Sequence, residues 1–149
     1  MNIKIILIFI YIVFFFPNIS IPSEKFFLML KNNKVNVRYG PSFNYPIKFI
    51  YKKKFLPVQV IDKKENFRRV IDHKKNSGWI HISQLQKVES IVTLVDTNIF
   101  KKASKFSKPI AKLNRGRLLL VKKCEKNWCK VQTDKYTGWI EIIDIWGKN

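Results

Sequence analysis

Apolar and polar residues alternate over short stretches along most of this chain. Val35 and Val37 flank Asn36, Val58 and Val60 flank Gln59, and Phe67 and Val70 bracket two arginines. Successive side chains leave a strand on opposite faces, so this period of two predicts half-buried β-strands. Glycine and proline are sparse and fall between the runs, where turns belong. Nothing after residue 24 carries a helical stripe. Several short strands between Lys34 and Leu85 predict a small barrel or sandwich. The exception to the pattern is Ile5 to Phe16, an apolar run without a break.

The alternation is written twice. Lys34 to Leu85 can be laid over Thr97 to Ile145. Val35-Asn36-Val37 answers to Thr97-Asn98-Ile99, and Pro46-Ile47 to Pro109-Ile110. Phe67-Arg68-Arg69-Val70 answers to Trp128-Cys129-Lys130-Val131, and Gly78-Trp79-Ile80 to Gly138-Trp139-Ile140. A repeat of this length means two small domains of one kind and argues against a single larger enzyme fold. Domains of this size bury only about 60% of their unfolded surface, so contact between the copies or a covalent staple would stabilise them. Val92, Leu94 and Val95 make the connecting segment, Gln86 to Asp96, apolar enough to pack as a strand of one domain.

The apolar run changes the picture of where the chain works. Met1-Asn2-Ile3-Lys4 is short and positive, Pro17 ends the run, and Ser20 and Ser23 are small residues suited to cleavage. That is the layout of a secretory signal over residues 1–23, with a mature chain starting near Glu24. The run is short for a membrane span, which needs about 20 apolar residues. The rival reading is an uncleaved anchor, with Ile19 and Ile21 extending the run. Either way the remainder is exported, to the periplasm or beyond.

Cysteine usage fits export. Cys124 and Cys129 lie in the second copy alone. If Lys126-Asn127 form a two-residue turn, Cys124 faces Cys129 and Glu125 faces Trp128. Opposed Cβ atoms in an antiparallel pair lie about 4.5–5.5 Å apart, near enough for a disulfide, and such bonds persist in oxidising compartments. A redox pair would show a two-residue gap. A zinc site would want four ligands, and His73 and His81 lie in the other copy. In the sequence overlay Ile61 and Arg68 stand where the cysteines are, with Lys64 and Glu65 as extra residues, so the first hairpin is expected to be longer.

The formal net charge is +19. Such a chain attracts polyanions. The charge is spread evenly, however, with 12 basic residues in each copy against 3 and 4 acidic ones. Lysine far outnumbers arginine, as biased base composition would also produce. No basic stripe or known module marks a nucleic-acid site. Lys52-Lys53-Lys54 and Lys122-Lys123 are solvated faces or a polyanion site.

Val35-Asn36-Val37-Arg38-Tyr39-Gly40-Pro41-Ser42 resembles the "N-V-R-x-G-P" opening of bacterial SH3-like domains, and Gly78-Trp79-Ile80 resembles their "G-W-V". Phe67 to Val70 and Trp128 to Val131 are similar to their "W-x-x-V" strand. The tandem layout, the cysteine hairpin and the terminal Trp146-Gly147 resemble exported double SH3-like proteins of the alphaproteobacterial type. The resemblance implies an all-β fold of two tandem small SH3-like barrels, each of five or six strands, covering residues 24–86 and 96–149 after the signal segment. It implies no fixed ligand, though relatives accompany cell-wall enzymes or bind cell-wall peptides. In the second copy Phe100-Lys101-Lys102-Ala103 replaces Arg38-Tyr39-Gly40-Pro41, which puts a binding role there in doubt.

Candidate binding residues follow. Tyr39, Phe43, Tyr45 and Tyr51 cluster after the first strand, where aromatic-lined grooves accept extended peptides. The competing reading is that this loop packs on itself. Trp79 and Trp139 either stand at the mouth of a groove or lid a small core. Phe106 is the second copy's counterpart to the aromatic loop. Catalysis lacks a constellation, because no nucleophile, base or phosphate-loop motif is present. No metal or cofactor is expected. The sequence reads as an exported, non-catalytic binding module of the cell envelope. The expected partner is peptidoglycan or a cell-wall peptide, with a periplasmic protein or an anionic envelope polymer as alternatives.

Overall fold

The computed structural model describes residues 25–143 and 145–148. The signal segment, residues 1–23, lies outside them. The first unit comprises β1 (Phe26–Leu30), β2 (Val35–Arg38), β3 (Ile47–Tyr51), β4 (Pro57–Lys64), β5 (Phe67–Ile71), β6 (Ser77–His81), a 3₁₀ turn at Ile82–Gln84 and β7 (Leu85–Lys87). The second comprises β8 (Ser90–Thr93), β9 (Thr97–Phe100), β10 (Pro109–Leu113), β11 (Leu118–Glu125), β12 (Trp128–Gln132), β13 (Thr137–Glu141) and β14 (Ile145–Trp146). The first sheet runs β3-β2-β6-β5-β4-β1-β7 and the second β10-β9-β13-β12-β11-β8-β14, the same order position for position. Each sheet has seven strands, more than the five or six implied by resemblance. The additions are β1 and β8, which precede the repeated opening, and β7 and β14, which pair with them.

The alternation seen in the sequence sorts residues between two faces. Val35, Val37, Val58, Val60, Val70 and Ile80 are buried in the first core. Ile99, Leu119, Val131 and Ile140 are buried in the second. Register shifts between Val60 and Asp62, and between Val121 and Lys123, bend the longest strand of each unit at matching places. A bulge of this kind sharpens local twist and helps a sheet curl over its own core.

The β11–β12 hairpin opposes Cys124 to Cys129 and Glu125 to Trp128, and the two cysteines are joined in a disulfide. The first hairpin differs from expectation. Lys64 opposes Phe67, so only Glu65-Asn66 turn the chain, and the two hairpins have equal length. The positions matching Cys124 and Cys129 are Lys63 and Arg68, not Ile61 and Arg68. The sequence overlay misplaced the first of them by assigning Lys64 and Glu65 to a longer turn, whereas Lys64 is still paired in β4. Glu65 and Lys126 both take a left-handed φ at the first turn residue.

A second pair of matching positions is less alike. The Phe55 amide donates to the Leu30 carbonyl, and the Gly116 amide donates to that of Thr93. Both residues have positive φ, 64° for Phe55 and 82° for Gly116. Glycine adopts this conformation freely, whereas a side chain there costs about 1–2 kcal/mol. Phe55 belongs to neither core cluster.

The units share a seam. Within β8, Ile91 is buried in the second core and Val92 in the first. The second sheet therefore starts at Ser90, inside the apolar connection that lies between the repeated segments. Ser90 Oγ donates to the Phe55 carbonyl at 2.6 Å, and Trp146 Nε1 donates to that of Pro57 at 3.0 Å. Trp146 also meets Phe27 edge-on, ring centroids 5.1 Å apart. Gly147, at φ 110°, fits under Ser90 and Pro57, where a Cβ would come within 2.7 Å of both. Because one strand serves two cores, the units should melt together. Trp146→Ala is expected to lower stability by about 3 kcal/mol, the scale of a large-to-small change in a packed region. Calorimetry on the unsubstituted protein should show one transition, and two well-separated transitions would show that the seam does not couple the units.

Candidate functional site

The outer face of the first sheet holds the candidate site. Gly78 passes close against β2. A Cβ there would collide with the Val37 side chain and sit 3.0 Å from the Arg38 carbonyl. Only glycine permits that approach, and alternation then turns Trp79 away from the core while Ile80 points in. Trp79 pairs with Arg38 across one strand boundary and with Arg69 across the other. An arginine, a tryptophan and a second arginine thus line up side by side. Trp79 is half-buried and is not part of the core cluster.

A concavity of 250 Å³ opens beside this row, lined by Arg38, Tyr39, Lys48, Arg69, Ser77, Gly78 and Trp79. Tyr39 is 62% exposed, and Lys48 Nζ lies 5.7 Å from the centre of its ring. Lys48 also donates to the Ser77 carbonyl at 3.0 Å, which fixes the ammonium at the rim. Arg38, Lys48 and Arg69 form no ion pair with another described residue. Three cations beside two aromatic rings suit an anion that also presents a face for stacking.

Five aromatic residues singled out in the sequence separate here. Tyr39 and Trp79 share the concavity. Phe43 leaves it and packs on Phe67 and His81, at 5.2 and 5.0 Å between ring centroids. Tyr45 lies on Gly40, whose absent Cβ would be 2.5 Å from its ring. Arg38 pins this loop by donating to the Phe43 and Tyr45 carbonyls at 3.3 and 2.7 Å. Phe43 and Tyr45 therefore hold the loop that presents Tyr39. Tyr51 lies in the core and plays no part in the groove. The sequence motifs do not mark Arg38, Lys48 and Arg69 as site residues. Their signal was available, because they alternate with the core positions Val37, Phe49 and Val70 on their strands.

The second unit builds a different face. Phe100 and Lys130 flank Trp139, where Arg38 and Arg69 flank Trp79. Phe100 covers Trp128 edge-on at 5.7 Å, and Lys123 Nζ lies 5.3 Å from the Trp139 ring. Phe106 is fully exposed and makes no ring contact among the described residues, so it does not join Trp139 in a groove.

Behind the site, Asp72 is buried and closes the Asp72–Asn76 turn. Its carboxylate accepts from the amides of Lys74 and Asn76, the Asn76 side chain and the Tyr51 hydroxyl. In the second unit Leu113 and Thr133 occupy the matching places, and the Thr133 hydroxyl accepts from two turn amides instead. Burial, reinforced by the Asp72 charge, raises the Tyr51 pKa well above its ordinary value. Burial lowers that of His73, with the cations Lys74, Lys53 and Arg115 acting in the same sense and Asp72 opposing.

Two small barrels of one design, each with a Gly-Trp outer face, define a tandem SH3-like protein. The bacterial SH3 domain model matches residues 31–87 and 95–147, and the chain belongs to that family. No curated protein matches it. Among solved structures it is similar to NlpC2 from Trichomonas vaginalis at 14% identity and a TM-score of 0.39, over 85% of this chain and 49% of that one. NlpC1 from the same organism gives 13% and 0.37, over 82% and 45%. This chain thus spans about half the length of those two.

The Tyr51–Asp72 pair sets an alkaline limit. The folded state keeps the Tyr51 proton where the unfolded chain releases it, so this contribution is complete below about pH 10 and declines as pH rises beyond that. Denaturant midpoints measured from pH 8 upward should fall above pH 10. Tyr51→Phe should flatten that fall, and an unchanged slope in the variant would exclude the pair as its source.

Proposed function

We propose that this chain is an exported, non-catalytic binding module of the bacterial cell envelope whose first unit recognises a carboxylate-bearing fragment of peptidoglycan. The chain belongs to the bacterial SH3 domain family, and the resemblance noted in its sequence implies company with cell-wall enzymes or binding of cell-wall peptides. The observation that carries the reading is the row Arg38-Trp79-Arg69, with Tyr39 and Lys48 at its edge. Cell-wall stem peptides end in carboxylates and hang from sugars. Guanidinium groups pair with carboxylates through two parallel hydrogen bonds, and aromatic faces accept sugar or peptide planes. The second unit, with Phe100 in place of Arg38, supports the first through the seam and offers a weaker face for an anion.

Retention on insoluble peptidoglycan across a salt series tests this. Arg69→Glu and Tyr39→Ala should each weaken retention about tenfold, the equivalent of one charge-assisted contact, while thermal stability stays near that of the parent. Cys124→Ser should do the opposite: stability lower by about 2 kcal/mol and retention intact. If Arg69→Glu and Tyr39→Ala are retained like the parent, the site is elsewhere. If all retention vanishes at moderate salt, screening over about 8 Å accounts for it and the charge alone is the binder. Protein recovered from cells should begin near Glu24, and a full-length cytoplasmic species would remove the export.

A further inference from the structure

We infer that the seam between the two units is itself a ligand site, suited to a small anionic amphiphile. A cleft of 580 Å³ opens there, within the range of small-molecule sites. Its apolar lining comes from both units: Met29 and Phe55 from the first, Ile91, Leu120 and Val121 from the second. Lys87, Lys122 and Lys148 also line it, against a single acid, Glu89. An apolar pocket with an excess of ammonium groups is complementary to a ligand with an apolar body and an acidic head.

Phe55 gives the cleft a mark of construction. The turn it occupies is built equally well around Gly116 in the other unit, with the same backbone hydrogen bond. Left-handed backbone strain at a bulky residue points to a role for its side chain. Phe55 lines this cleft and, with Leu120, a second one of 360 Å³ lined by Lys53 and Arg117, and its ring has the Lys54 ammonium 4.8 Å from its centre. Its carbonyl meanwhile accepts from Ser90, so the residue that shapes the cleft is tied to the strand that joins the units. The disulfide pair, Cys124 and Cys129, also lines the cleft. This site is distinct from the concavity beside Trp79, with which it shares no lining residue.

The test is a fluorescence titration with anilinonaphthalene sulfonate, an anionic apolar dye, on the whole mature protein. Binding should saturate and be displaced by decanoate, but not by decyltrimethylammonium or acetate. The exposed double variant Lys87→Glu/Lys122→Glu should weaken the dye about tenfold or more, as loss of a charge-assisted contact does. Phe55→Gly suits the local backbone and should weaken it comparably. Lys101→Glu, outside the cleft lining, should leave it unchanged. Circular dichroism confirms that each variant is folded. The inference is overturned if the dye fails to saturate, if the cationic amphiphile competes as well as decanoate, or if both cleft variants bind like the parent. It is also overturned if Tyr39→Ala removes dye binding while Phe55→Gly does not, because the dye then occupies the outer face.

Discussion

One strand, β8, holds this molecule together. Its residues alternate between two hydrophobic cores, with Ile91 in the second and Val92 in the first. Barrels of this size are marginal by themselves, since they bury too little of their chain to offset its ordering. Sharing a strand lets the second unit complete the first core, to which it lends Val92, with Leu118 and Trp146 packed against it. Ser90 and Trp146 then tie the polar edges of the seam together by donating to the carbonyls of Phe55 and Pro57.

That arrangement frees the outer faces. A sheet whose inner side is filled by Val35, Val37, Val70 and Ile80 has its other side available for recognition. Gly78 is the local device that makes the first face work. Its bare backbone lets β2 and β6 close, and the next residue, Trp79, must then face outward between Arg38 and Arg69. Arg38 acts twice, as part of the row and as the pin of the loop that carries Tyr39.

The copies have diverged where their tasks differ. In the first, Tyr51 and Asp72 form a buried pair that braces the turn behind the site. In the second, Leu113 joins the core and the Thr133 hydroxyl alone caps the turn. The second copy carries a disulfide across the hairpin position where the first has Lys63 and Arg68. Phe55 and Gly116 also differ: both turns take a left-handed φ, and only the first carries a bulky side chain there.

Strand positions, the repeat, the family and the pairing of Cys124 with Cys129 were legible in the sequence, because each depends on local alternation or short spacing. Period two decides which face a residue takes, and two residues between opposed positions decide a hairpin. Trp79 and Tyr39 could be assigned to one groove only through the family resemblance, which links the two motifs that carry them. What lay beyond reach was everything set by contacts distant along the chain. The pairing of Lys64 with Phe67 shortened the first turn to two residues and put Lys63 in the place read for Ile61. The loop's own packing drew Phe43 and Tyr45 away from Trp79, and nothing drew Phe106 toward Trp139. The sequence showed Val92 as apolar, but only the tertiary structure placed it in the core of the preceding unit. Local pattern tells which side chains must be buried, whereas which core receives them is decided by long-range packing.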